Sequence, residues 1–210
     1  LTMTYAGMVF SAIDMDYFPR LTGVITDCKE RADTLLKQMD VLAMLATPLC
    51  VGMTVALPML VPLLLDGRFE TVIPMAQAAT VGLLFRAIYL PNAYMSLAAG
   101  DNKTFLAINI VGAVDILLVL VGYHYYGLTG MGVALTIQNG IDMLLVLAVS
   151  KWKYGIRFTL SRGFSLCIYT AFLCLTYAAC RTLTGWEYWI TGTVLTLLAV
   201  LYSYKKYKKA

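Results

Sequence analysis

Long apolar runs alternate with short polar interruptions from Val41 to Tyr204. Six of these runs, 41–65, 77–99, 104–122, 131–150, 164–184 and 188–204, are each long enough to cross a bilayer. Roughly 20 residues rising about 1.5 Å each cover a hydrocarbon core of about 30 Å, so each run predicts a transmembrane helix. The interruptions are short, which predicts antiparallel neighbours in an all-α, polytopic bundle. A seventh apolar piece, 1–13, is too short to span and reads as the end of a truncated transmembrane helix.

Residues 14–40 carry a different rhythm. Leu21, Val24, Ile25, Cys28, Ala32, Leu35, Leu36 and Met39 recur at three- and four-residue steps, while Asp27, Lys29, Glu30, Asp33 and Lys37 take the other face. That periodicity predicts one amphipathic linker helix lying on the cytoplasmic membrane surface, with Pro19 near its start. The pattern divides the chain into the helix end at 1–13, the linker at 14–40, four transmembrane helices at 41–150, a basic loop at 151–163, two additional transmembrane helices at 164–204 and a basic tail at 205–210.

Composition strengthens the membrane reading. Hydrophobic residues make up 60% and charged residues 13%, with a mean hydropathy of +0.75. A soluble domain carries about 25% charged residues, so this chain lacks the charge to cover a water-facing surface. The net charge of +4 comes without a basic-aromatic groove, which argues against a nucleic-acid partner and for membrane lipids. Of the 16 basic residues, 13 fall in the interruptions on one side of the predicted bundle. Only Arg68 and Arg181 fall on the other, and Arg86 lies inside a span. Cytoplasmic loops hold the Lys and Arg excess, which predicts a multi-pass protein of the cell inner membrane with a cytoplasmic C-terminus. Cys28, Cys50, Cys167, Cys174 and Cys180 form no CxxC pair and read as small packing residues.

Ionisable groups inside a span are costly and usually have a purpose. Arg86, Asp115 and Asp142 fall about nine to eleven residues into three consecutive spans, which puts them at similar depth near the midplane. Asn92, Asn109, Gln138 and Asn139 add uncharged polar groups to the same helices, and Pro91 interrupts the backbone ladder beside Arg86. Two arrangements fit. In one, an Arg–Asp pair locks helices together. In the other, a hydrated cavity lets Arg86 meet an anion while a carboxylate takes up a coupling cation, proton or sodium. One Arg against two Asp leaves a spare carboxylate, which favours the second.

Enzyme signatures are missing from the sequence. His124 is the single histidine, so no histidine pair can ligate a metal. Asp14-Met15-Asp16 has the form of a transferase DxD but abuts the membrane without a soluble domain. No phosphate-cradling glycine loop occurs; Gly127, Gly130 and Gly132 open a membrane helix and suit a tight turn with close packing. No cofactor is implied.

The order of short motifs resembles a known family. Asp16-Tyr17-Phe18-Pro19-Arg20-Leu21-Thr22 is similar to the segment after the eighth helix of polysaccharide flippases in the multidrug/oligosaccharidyl-lipid/polysaccharide exporter superfamily. Pro62-Leu63-Leu64-Leu65-Asp66-Gly67-Arg68-Phe69 resembles their next helix end, and Leu97-Ala98-Ala99-Gly100-Asp101-Asn102-Lys103 a turn two helices later. Tyr126-Gly127-Leu128-Thr129-Gly130-Met131-Gly132-Val133-Ala134 resembles the opening of their twelfth helix. The resemblance implies the C-terminal lobe of a two-lobe, MATE-like transporter plus two extra helices. It further implies a lipid-linked oligosaccharide substrate and a missing N-terminal lobe of the same protein. A multidrug/cation antiporter of the same superfamily and an intramembrane transferase are the alternatives.

Overall fold

A computed structural model describes residues 15–64 and 67–208, the side chains of Val114 and Asp115 excepted. The predicted helix end at 1–13 therefore lies outside the described residues. Helix α1 covers 15–23, followed by α2 (Cys28–Leu64), a short 3-10 helix (Gly67–Val72), α3 (Ile73–Ala98), α4 (Asn102–Tyr154), α5 (Leu160–Thr182) and α6 (Gly185–Tyr207). The described residues contain no strand, so the chain is an all-α bundle. Among the described residues, four helices are long and apolar enough to cross a membrane: α2, the Arg68–Ala98 segment containing α3, α4 and α5. Helix α6 has 23 residues and falls outside that group, because Trp186, Glu187, Tyr188, Trp189 and its threonines dilute its apolar run.

Helix α4 is 53 residues long but does not run straight. At Gly127 the backbone takes φ 60°, ψ −145°, a conformation closed to other residues, and the helix folds into a hairpin of arms 102–126 and 128–154. The far ends meet: Lys153 Nζ donates to Thr104 Oγ1 at 2.5 Å. Beside the turn the arms touch backbone to backbone, since a Cβ on Gly122 would sit 2.7 Å from the Gly130 carbonyl oxygen. The two arms thus supply two of the predicted spans.

Residues 14–40 differ from the single linker helix expected. The helix breaks after residue 23, and Asp27 Oδ1 then accepts from the backbone N–H groups of Lys29 at 2.7 Å and Glu30 at 3.1 Å. This N-cap starts α2, which runs without interruption from Cys28 into the first span. The apolar residues bury against the bundle: Tyr17, Leu21, Leu35 and Leu36 form a cluster with Met95 and Ile156. Tyr17 also donates to the Pro91 carbonyl at 3.2 Å.

The order of layers follows from burial. Helix α3 is central, packing against the α4 hairpin and α2, while α5 and α6 pack on α2 and on each other and α5 also reaches α3. The largest apolar cluster joins α2, α3, α5 and α6 through residues such as Leu42, Val51, Leu84, Leu173 and Leu195. Basic residues gather at one end: Arg31 donates to the Tyr154 carbonyl at 3.2 Å, Lys153 pairs with Asp101 at 2.5 Å, and Arg162 pairs with Asp40 at 2.9 Å.

Candidate functional site

Arg86 stands midway along α3, 13 residues after Ile73 and 12 before Ala98. Between residues 72 and 96 it is the single exposed position, every other side chain being buried or half-buried. Among the described residues Arg86 has no hydrogen-bond or ion-pair partner. The helix-locking Arg–Asp pair is therefore not formed from Arg86 among those residues.

Arm 128–154 lies parallel to α3 in a fixed register. Thr136 Oγ1 donates to the Ala78 carbonyl at 2.7 Å, and Ser150 Oγ donates to Asn92 Oδ1 at 2.9 Å. Both pairs are 58 residues apart, so Arg86 is level with residue 144, two residues or about 3 Å along the axis from Asp142. Asp142 is half-buried. Counting 11 residues inward from each member of the Thr104–Lys153 pair reaches Asp115 and Asp142, so the backbone at 115 shares that level. The Asp115 side chain lies outside the described residues. Gln138 is half-buried one turn before Asp142 on the same arm.

The other sequence candidates have different surroundings. Asn92 is buried; its amide donates to the Ile88 carbonyl at 2.8 Å and its oxygen accepts from Ser150, which ties α3 to α4. Asn139 is buried and donates to the Leu135 carbonyl at 2.7 Å, one turn back on its own helix. Asn109 is exposed and does the same with Phe105 at 2.8 Å. The structure thus sets Arg86, Asp142 and the backbone of Asp115 at one level, and places Asn92 and Asn139 in the packing seam.

A second polar group emerges from the fold. Pro58 lacks the N–H that would bond the Thr54 carbonyl four residues back. Gln77 Nε2 from α3 fills that vacancy at 3.1 Å. The Thr54 and Thr80 hydroxyls meet at 2.6 Å, and Thr80 donates to the Gln77 carbonyl at 2.6 Å. Tyr188 from α6 donates to the neighbouring Val55 carbonyl at 2.8 Å. Thr54, Gln77 and Thr80 are all buried. The proline was the available sequence signal, since the carbonyl it orphans needs a donor from elsewhere.

At the basic end, Asp101 caps α4 by accepting from the Thr104 N–H at 3.3 Å. The Lys153 ammonium, helped by Thr104 and Tyr154, holds its carboxyl well below the usual carboxylate range. No protein-family model, curated protein or solved structure matches the chain.

Proposed function

We propose that this chain is part of a transporter that flips lipid-linked oligosaccharide across the bacterial inner membrane, with its basic end in the cytoplasm. The exposed Arg86 on an otherwise covered central helix carries the reading. An arginine facing lipid at the middle of a bilayer costs roughly 2.5–3.5 kcal/mol even on the mildest scale. Such a position is sustained where the face looks into a water-filled cavity, and transporters place substrate sites near the midplane between two lobes. Arg86 attracts the pyrophosphate or an acidic sugar of the substrate. Asp142 and Asp115, at the same level, balance that charge when the cavity is empty and take up a proton or sodium during return. The opposing wall is a second lobe of the same protein. The motif order from Asp16 to Ala134 supports the oligosaccharide branch of the superfamily over the antiporter branch.

The test is complementation of a flippase-deficient cell by the full-length transporter carrying Arg86→Gln or Arg86→Lys, with membrane abundance measured alongside surface polysaccharide. The expected result is normal abundance for both, with Arg86→Gln losing more surface polysaccharide than Arg86→Lys, which keeps charge but not the planar fork. Full surface polysaccharide from Arg86→Gln would overturn the assignment.

A further inference from the structure

Where α2, α5 and α6 meet at the basic end, a crevice of about 100 Å³ opens between Asp40, Arg162, Tyr169 and Lys206. A water molecule needs roughly 10–15 Å³ by the same measure, so the space holds a larger polar group. Its deeper wall is apolar, formed by Ala43, Ile88, Leu147 and Leu166. Asp40 immediately precedes the first predicted span, Arg162 precedes the fifth by two residues and Lys206 follows the sixth by two. The polar rim therefore sits at headgroup depth and the apolar wall at acyl-chain depth.

Three observations give the rim its chemistry. Arg162 spends only Nε on Asp40, at 2.9 Å, leaving its terminal guanidinium nitrogens without partners among the described residues. The Lys206 ammonium makes no close ion pair among the described residues, though Asp40 acts on it from a longer distance, and it lies 5.3 Å from the centre of the Tyr169 ring. Burial pushes the Lys206 amine below its ordinary value, which a bound anion would reverse. Tyr169 is 1% exposed, and its hydroxyl completes no hydrogen bond of ordinary geometry, with the buried Ser203 hydroxyl its polar neighbour. Two cationic groups and a buried hydroxyl donor above an apolar wall suit a phosphate carried on a hydrocarbon chain.

We propose that this crevice binds one anionic phospholipid, its phosphate held by Arg162, Lys206 and the Tyr169 hydroxyl and one acyl chain lying along Ala43, Ile88, Leu147 and Leu166. Asp40 orients Arg162 and opposes the anion, so it sets the strength of binding. The inference requires only that the chain spans a membrane and stands apart from the substrate assigned above.

Native mass spectrometry of the purified 210-residue chain, titrated with phosphatidylglycerol or phosphatidylcholine, tests it. One phosphatidylglycerol should be retained in preference to phosphatidylcholine. Arg162→Gln combined with Lys206→Gln should weaken retention about 10- to 30-fold. Asp40→Asn should strengthen it, and Tyr169→Phe should weaken it with helicity by circular dichroism unchanged. Lys205→Gln with Lys208→Gln, which removes two neighbouring charges outside the crevice, should leave retention intact. Equal retention of the two lipids, or equal loss in the Lys205/Lys208 variant, would overturn the proposal. Inorganic phosphate at the same concentration should bind far more weakly; binding as tight as the lipid would assign the crevice to a soluble anion instead.

Discussion

Two of the polar regions built on the central helix are opposites. Around Gln77, one turn into α3, the Gln77 Nε2 and the Thr54 and Thr80 hydroxyls all reach partners on α2, α3 or α6 within 3.5 Å, and the three side chains are buried. Around Arg86, nine residues further along, a permanent charge stands exposed without a partner among the described residues. The first arrangement repairs a defect that Pro58 leaves in α2. The second has no structural debt to settle. Hydrogen-bonded burial is how a membrane bundle disposes of polarity it needs for shape, whereas uncovered charge at mid-span is polarity kept available.

Exchanging the demands of the two regions gives the largest expected effect. Gln77→Arg puts a charge where no carboxylate stands among its hydrogen-bond partners and should destabilise the fold by about 3–5 kcal/mol, the cost of an uncompensated buried charge. Arg86→Gln, the reverse change in the open region, should leave the unfolding midpoint in detergent unaltered. A comparable loss in both variants would mean that Arg86 is structural after all and would erase the contrast.

A smaller effect separates proline repair from ordinary packing. Gln77→Leu removes the donor to the Thr54 carbonyl and should cost about 1–2 kcal/mol, near the upper end for interhelical hydrogen bonds in membranes. Pro58→Ala returns a backbone N–H to that carbonyl. In the Pro58→Ala background, Gln77→Leu should therefore cost distinctly less. Equal cost in both backgrounds, read by detergent unfolding, would show that Gln77 acts through its volume and not its amide.

This contrast explains which parts were legible in the sequence. Arg86 was visible because charge inside an apolar run is conspicuous in one dimension. Asn92 and Asn139 carried the same signal but serve the α3–α4 seam, and α3 is covered nearly all round, so no periodicity distinguished its faces. The Gln77 group joins uncharged residues from three helices, and only the orphaned carbonyl of Pro58 pointed to it. In the fold, hydropathy located the apolar runs that became α2, α3, the two arms of α4 and α5, whereas the run at 188–204 became a helix too diluted to join them, and Gly127 marked the hairpin turn. The break before α2 was hidden because the apolar period continues from Leu21 to Leu35 across it, although Asp27 and Glu30 occupy N-cap and first-turn positions.

The smallest expected effect concerns a third site, intermediate between the two: Asp101 is paired with Lys153 and partly exposed, at the end of the bundle where water reaches. Asp101→Asn keeps a competent helix cap and removes only the charge, so at neutral pH it should lower stability slightly. The folded carboxyl titrates below its ordinary range because of Lys153, while the unfolded one titrates near the reference of about 3.9. Stabilisation from the ionised form is thus complete above the unfolded value and fades as pH falls towards the folded one. The gap in unfolding midpoint between the parent chain and Asp101→Asn should stay constant from about pH 8 to about pH 5 and narrow below about pH 4. Because the pair is accessible, salt should narrow the gap as well. A gap that widened on acidification would show that Asp101 is held by its neutral hydrogen bonds to Thr104 and Tyr154 and not by the ammonium of Lys153, and would move this site into the company of the closed Gln77 group.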